Sequence, residues 1–121
     1  MMMRTIILSV ITLLMLSLAV QANASDSKTV FNFYCAQCHG PDGDGNGPNV
    51  TADFATDPRD FTKTEEMEKL SDADIKNVIL DGGPALSKSA LMPPWSKTLT
   101  SEEVDGLVQL IRGFCQCKAA P

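Results

Sequence analysis

Apolar side chains fall into a helical rhythm in three separate stretches of this chain. The last stretch is the clearest: Val104, Leu107, Val108, Ile111 and Phe114 stand at i, i+3, i+4, i+7 and i+10, one stripe fit for burial. Thr100 and Glu103 form a capping box just ahead of it, so the helix is predicted to start at Thr100 or Ser101. A second helix opens at Ser71 with Asp74 as box partner, runs through Ile75, Val78 and Ile79, and meets Gly82-Gly83-Pro84. The first, from about Asp26 to Gln37, carries Val30, Phe31 and Tyr34 at helical spacing with Cys38, and Gly40 and Pro41 stop it. A short charged turn of helix is expected around Thr64 to Leu70, with Met67 at a surface position among Glu65, Glu66, Glu68 and Lys69. No strand alternation competes and no internal repeat is present, so the fold class is all-α.

Between the first helix and Thr62 lies an irregular segment dense in Gly, Pro, Asp and Asn. A structureless stretch of that length is unusual inside a small domain unless it wraps something. Ahead of the first helix, Arg4, an uncharged apolar run from Ile6 to Val20 and the small residues Ala22-Asn23-Ala24 have the order of a secretory leader. The run is 15 residues, short of the roughly 20 that a membrane-spanning helix needs. The expected division is therefore residues 1–24 as a signal peptide cleaved after Ala24 and residues 25–121 as one exported domain, periplasmic in a bacterium, without stable membrane insertion.

That mature domain has 97 residues, with 9 basic and 15 acidic side chains. The acidic balance argues against nucleic acid and anionic membrane surfaces as partners, since both require basic patches. A domain this small buries only about two-thirds of its unfolded surface, so its core is marginal unless something large and apolar is added.

Cys35-Ala36-Gln37-Cys38-His39 says what is added, because C-x-x-C-H is the attachment pattern of a c-type haem. On a helix, residues three apart share a face with Cβ atoms roughly 5–6 Å apart, so two thiols can each add to one vinyl group of a single porphyrin. His39, the only histidine, then lies under the ring plane as the proximal iron ligand. The second axial ligand must come from elsewhere. Of the six methionines only Met67 and Met92 follow the leader, and Met92 sits in the apolar loop Leu91-Met92-Pro93-Pro94-Trp95, where two prolines restrict the backbone and aim the sulfur. Arg59, in Asp57-Pro58-Arg59-Asp60-Phe61-Thr62, is either a partner for a haem propionate or an exposed arginine in a turn with acidic neighbours.

Together these motifs resemble the class I c-type cytochromes, in particular small periplasmic monohaem carriers. The resemblance rests on Cys35 to Gly40, Gly43-Asp44-Gly45-Asn46-Gly47-Pro48, Pro58 to Thr62 and Met92 to Trp95, and covers essentially the whole mature domain. It implies the cytochrome c fold, a small helical bundle whose first and last helices cross around one covalently attached haem with an exposed edge. It also implies thioethers at Cys35 and Cys38, His39 proximal and Met92 distal. The function so implied is one-electron transfer, not enzymatic catalysis, in a periplasmic chain, with haem iron cycling between Fe(III) and Fe(II) and separate redox proteins as donor and acceptor. The alternatives are a haem subunit of a larger redox enzyme, or a ligand-binding haem sensor if the distal position is open.

Three rival chemistries fit less well. A zinc site built from four cysteines gives no role to His39, to the Met92 loop or to the leader. A thiol–disulfide oxidoreductase using Cys35 and Cys38 normally has a strand before the motif, where this chain has a helical pattern. Asp42-Gly43-Asp44-Gly45-Asn46-Gly47 matches the start of an EF-hand loop, but Pro48 at the seventh position and Asp53 at the twelfth depart from it, which favours a glycine-rich turn. Cys115 and Cys117 lie outside the family pattern. Residues two apart on a helix point to nearly opposite sides, so a bond between them requires the helix to end first, for which Gly113 is a candidate. A local or intermolecular disulfide is preferred to free thiols in an oxidising compartment, and to a thiolate competing with Met92 for iron.

Overall fold

Capping boxes begin the two longest helices of the described residues, 27–119, in a computed structural model of the chain. The expected leader, residues 1–24, lies outside those residues. Ser71 caps helix α4, Asp72–Asp81: its hydroxyl accepts from the Asp74 N–H, and the Asp74 carboxylate accepts from the Ser71 backbone. Thr100 and Glu103 do the same for α5, Ser101–Cys115. Before them come α1 over residues 27–34, α2 at Ala36–His39 and α3 at Thr64–Met67. Cys35 interrupts α1 and α2 only as a turn, because Cys35 N–H still bonds Phe31 O and His39 N–H bonds Cys35 O. A 3-10 turn, Gly83–Leu86, follows α4. Among the described residues there is no strand, as the periodicity predicts.

α1 crosses α5 closely at Gly106, where a Cβ would meet the Ser27 hydroxyl and force that side chain to turn away. Farther along the same crossing Phe31 packs on Phe114 with ring centroids 5.2 Å apart, and the Lys28 ammonium lies over both rings. Four predicted stripe positions of α5, Val104, Leu107, Val108 and Ile111, are buried, while Phe114 is half-buried. α4 packs against the 3-10 turn and against α5, and α3 rests on α5.

Two expectations need correcting here. Met67 is not a surface residue: it is 1 % exposed and belongs to the core, because α3 docks on α5 and turns the methionine inward. The last helix also does not end at Gly113. It runs to Cys115 and stops at Gln116, whose φ of 49° is left-handed, and that reversal lets Cys115 and Cys117 bond to each other. The bridge is therefore local. It closes beside Arg112, which is 9 % exposed and was not anticipated in the core. The Arg112 guanidinium donates to Asp72, to Met67 O and to Leu70 O at 2.6–2.8 Å, tying the end of α5 to the corner between α3 and α4.

Candidate functional site

The C-x-x-C-H segment faces a cavity of about 810 Å³, within the range of small-molecule and cofactor sites. Its walls come from well-separated stretches of the described residues: Tyr34, Cys35, Cys38 and His39 around the motif, Ile75, Ile79, Met92 and Trp95 from α4 and the loop after it, and Leu107 and Ile111 from α5. The irregular segment contributes Asn49, Phe54 and residues 56–61, so it does wrap the opening.

Both thiols are free. Burial, and after it the adjacent Cys38 thiol, push the Cys35 thiol up to about 11. That is the opposite of the lowered pKa on which a thiol-exchange catalyst depends. Cys115 and Cys117 are bonded to each other and so cannot complete a four-thiolate site with Cys35 and Cys38.

His39 Nδ1 lies 3.1 Å from Arg59 O. A carbonyl only accepts, so Nδ1 carries the proton in this contact. Burial holds the His39 pKa below its usual 6.5, with the Arg59 hydrogen bond opposing, so the ring is neutral near pH 7 and Nε2 keeps its lone pair. The imidazole also stacks nearly parallel on Phe61, centroids 4.5 Å apart with 17° between planes.

Met92 is half-buried in the cavity wall. Its loop is anchored by hydrogen bonds from Gly83 N–H to Met92 O (2.9 Å), Trp95 N–H to Ile79 O and Ser96 N–H to Leu80 O. Gly82, at φ 81°, leaves room for that carbonyl: a Cβ there would lie 2.8 Å from Met92 O. Met67 lines the same cavity from the core side. The Arg59 side chain also lines it, and its guanidinium is 3.4 Å from the Glu66 carboxylate, a half-exposed pair of small energetic weight. Thus the proline-framed segment brings two parts of Arg59 to the site, and only the side chain was anticipated.

The EF-hand-like loop is held by its own carboxylate. Asp44 accepts from the Asn46 backbone N–H at 3.0 Å and from the Asn46 side-chain amide at 3.2 Å, which together hold its pKa down. At the mouth of the cavity stand Phe33 and Leu91, 72 % and 56 % exposed, the two large apolar side chains most exposed among the described residues. Phe33 was missed because it lies off the buried face of α1; its only sequence signal is a phenylalanine next to Tyr34 in the turn before the motif.

The residues fit a haem. The wall is apolar, two free thiols three positions apart face it, and a neutral imidazole and a thioether line it. Fold and site together define a c-type cytochrome: an all-helical domain of the kind that holds haem c covalently and carries electrons. The chain matches the family described as cytochrome c oxidase, cbb3-type, subunit III over residues 22–111, and it belongs to that family. Among solved structures it is similar to the KustC0563 c-type cytochrome, with 33 % identity and TM-score 0.57 over 73 % of this chain and 95 % of that one. It is also similar to a chain of the Kuenenia stuttgartiensis reducing HAO-like protein complex Kustc0457/Kustc0458, at 28 % identity and TM-score 0.61, covering 78 % of this chain and 46 % of that chain. The match thus spans less than half of the latter's length. No curated protein sequence matches the chain.

Proposed function

We propose that the chain is a single-haem, one-electron carrier exported to the periplasm, with residues 1–24 removed and residues 25–121 forming the working domain. The observation that carries this reading is the gathering of Cys35, Cys38, His39 and Met92 around one apolar cavity. Cys35 and Cys38 would hold haem as thioethers, His39 Nε2 would bind iron on one side and Met92 on the other. When bound, the haem supplies iron that alternates between Fe(III) and Fe(II), at a potential raised by methionine opposite histidine.

The protein's own contribution is positioning and exclusion. Arg59 O accepts a hydrogen bond from Nδ1–H and so fixes the tautomer that leaves Nε2 as ligand. The bonds from Gly83, Trp95 and Ser96 fix the ends of the Met92 loop, which keeps the thioether in place in either oxidation state. Ile75, Ile79, Leu107 and Ile111 keep water from the cavity and limit reorganisation. Arg59 has a guanidinium beside the opening that can exchange Glu66 for a propionate. With His39 and Met92 both holding iron in this reading, no position would remain for a substrate, and the domain would act as a carrier and not as an enzyme. Partner redox proteins meet it at the mouth, where Phe33 and Leu91 offer apolar contact. Among the described residues no helix is long and apolar enough to cross a membrane.

The decisive experiment is spectroscopy on the exported holoprotein with a potentiometric titration. One haem per chain, a single-electron curve and a weak far-red band of iron–thioether ligation are expected. Met92→Ala abolishes the band while Met67→Leu retains it; the reverse result, or high-spin iron in the untreated protein, refutes the ligand assignment. The second reading, a haem subunit of a larger redox enzyme, is favoured by the likeness to a chain of a redox complex. It predicts that the native protein migrates as a stable assembly, whereas the carrier reading predicts a small independent species.

A further inference from the structure

We propose that Phe61 is the positioning residue for His39: its stacked ring sets the rotation of the imidazole plane, and hence the orientation in which the proximal ligand meets the iron. The inference rests on the ligation reading above and deepens it.

The torsion that turns an imidazole about its Cβ–Cγ bond has broad, shallow wells, so a histidine needs external contacts to hold one plane. The hydrogen bond to Arg59 O fixes the direction of one ring atom. A ring can still rock about that contact. The face of Phe61, 4.5 Å away and 17° from parallel, removes the remaining freedom. This geometry differs from the other aromatic pairs on the protein, which meet at 53° to 80°. Those pairs are edge-on or tilted, as in ordinary core packing.

Phe61 is itself held on three sides. Its backbone N–H donates to Gly43 O at 2.7 Å, and its ring meets the fully buried Phe31 at 6.4 Å. Thr62 donates both its N–H and its hydroxyl to Asp60 Oδ1, closing the turn around it. Arg59 and Phe61 stand two residues apart in one segment, so the carbonyl and the ring that grip His39 are set by the same piece of backbone. Beyond Phe31 comes Phe114, which places His39 at the end of an aromatic column reaching into the α1–α5 crossing. The orientation of an axial imidazole decides how its π orbital overlaps the iron d orbitals. A clamped plane therefore gives one defined electronic state, and a loose one gives several.

The test uses holoprotein of the wild type and of Phe61→Leu, Phe61→Met and Phe61→Tyr. The readouts are ferric electron paramagnetic resonance, haem-methyl proton shifts and thermal melting. Tyrosine, which restores the flat face, should keep the wild-type g values and methyl order. Leucine and methionine, apolar but without a face, should shift the g values or split them into several species and change the methyl order on warming. Identical g values and methyl shifts in wild type, leucine and methionine variants overturn the proposal, as does a tyrosine variant that shifts as far as leucine. Should neither ringless variant accumulate, the wild type still decides: one set of methyl shifts that keeps its order on warming supports a clamped plane, and an order that changes on warming overturns it. Hyperfine coupling to an imidazole nitrogen, resolved from that of the pyrrole nitrogens by isotope labelling of histidine, tests the ligation reading separately: its absence in wild type overturns that reading, whereas its presence with a Phe61-insensitive spectrum overturns the positioning role alone.

Discussion

Replacing Arg112 with alanine should cost this domain much of its stability, although the residue touches neither thiol nor imidazole. Its guanidinium makes three hydrogen bonds to oxygen, 2.6 Å to Leu70 O, 2.8 Å to Met67 O and 2.8 Å to Asp72, and a longer one of 3.7 Å to Cys117 Sγ. A bond from a charged donor typically contributes about 1.5–3 kcal/mol net, and removing one member of a buried ionic network costs about 3–5 kcal/mol. The lower part of that range is the better expectation. Asp72 is 49 % exposed, so that arm of the network is screened, and Met67 O keeps a second donor in the Leu70 N–H at 3.2 Å. A loss of about 3 kcal/mol is a large share of the roughly 5–15 kcal/mol total expected for a domain, and it lowers Tm by roughly 12–24 °C at this size. Chemical denaturation of the holoprotein followed by far-ultraviolet circular dichroism measures it. Asp72→Asn should lose less than about 1 kcal/mol, since the screened ion pair is the minor part. Arg112→Lys should fall between, because one ammonium cannot reach two carbonyls and a carboxylate in a fixed fork. The reasoning is refuted if Arg112→Ala stays within about 1 kcal/mol of wild type, or if Asp72→Asn costs as much as Arg112→Ala.

Other outcomes follow from the same geometry. Cys35→Ala with Cys38→Ala, exported normally, should yield little folded domain, because the apolar cavity is left without its filler; a cooperatively melting haem-free protein contradicts this. Stability should decline in acid. Asp44, Asp60, Glu66 and Asp74 all have pKa values held below their ordinary 3.8 or 4.5 by hydrogen bonds or lysine partners. A lowered folded pKa gives stability that is complete above the unfolded value and lost as pH falls through the folded one, so the carboxylates' contribution to Tm should be constant above about pH 5 and drop below about pH 4. Asp74→Asn should flatten part of that drop, and a wild-type Tm that rises on acidification contradicts the sign. Finally, Phe33→Ser and Leu91→Ser should slow electron exchange with a physiological partner without moving the reduction potential; a changed potential with an unchanged rate places the contact elsewhere.

The periodic stretches were legible because helix caps and buried stripes are local: Ser71 with Asp74, and Thr100 with Glu103, stand three residues apart and need no distant contact to find each other. The C-x-x-C-H motif was legible for the same reason. What escaped depends on contacts far along the chain. Met67 has charged neighbours on both sides, and only the docking of α3 on α5 turns it inward. Arg112 occupies a position any surface arginine could hold, until carbonyls about forty residues earlier meet its guanidinium. The role of the Arg59 backbone is invisible to side-chain pattern altogether, since any residue supplies a carbonyl.

Core and cavity wall are not separate sets of residues. Phe31, Met67, Ile75, Ile79, Leu107 and Ile111 are buried in the helical packing and also line the cavity. Each therefore has one flank against protein and another toward the cofactor space. An apolar side chain so placed contributes its full burial only when both flanks are covered. These six are half of the twelve buried apolar residues among the described ones, so a group filling the cavity would complete one interior with the helices. This accounts for the irregular segment's lack of regular structure: it closes over an apolar cavity that, in the carrier reading, the haem would fill. It also explains why the Arg112 network matters to the site. By tying α5 to the corner that carries Met67 and Leu70, both on the cavity wall, the network holds one side of the cavity at a fixed distance from the other.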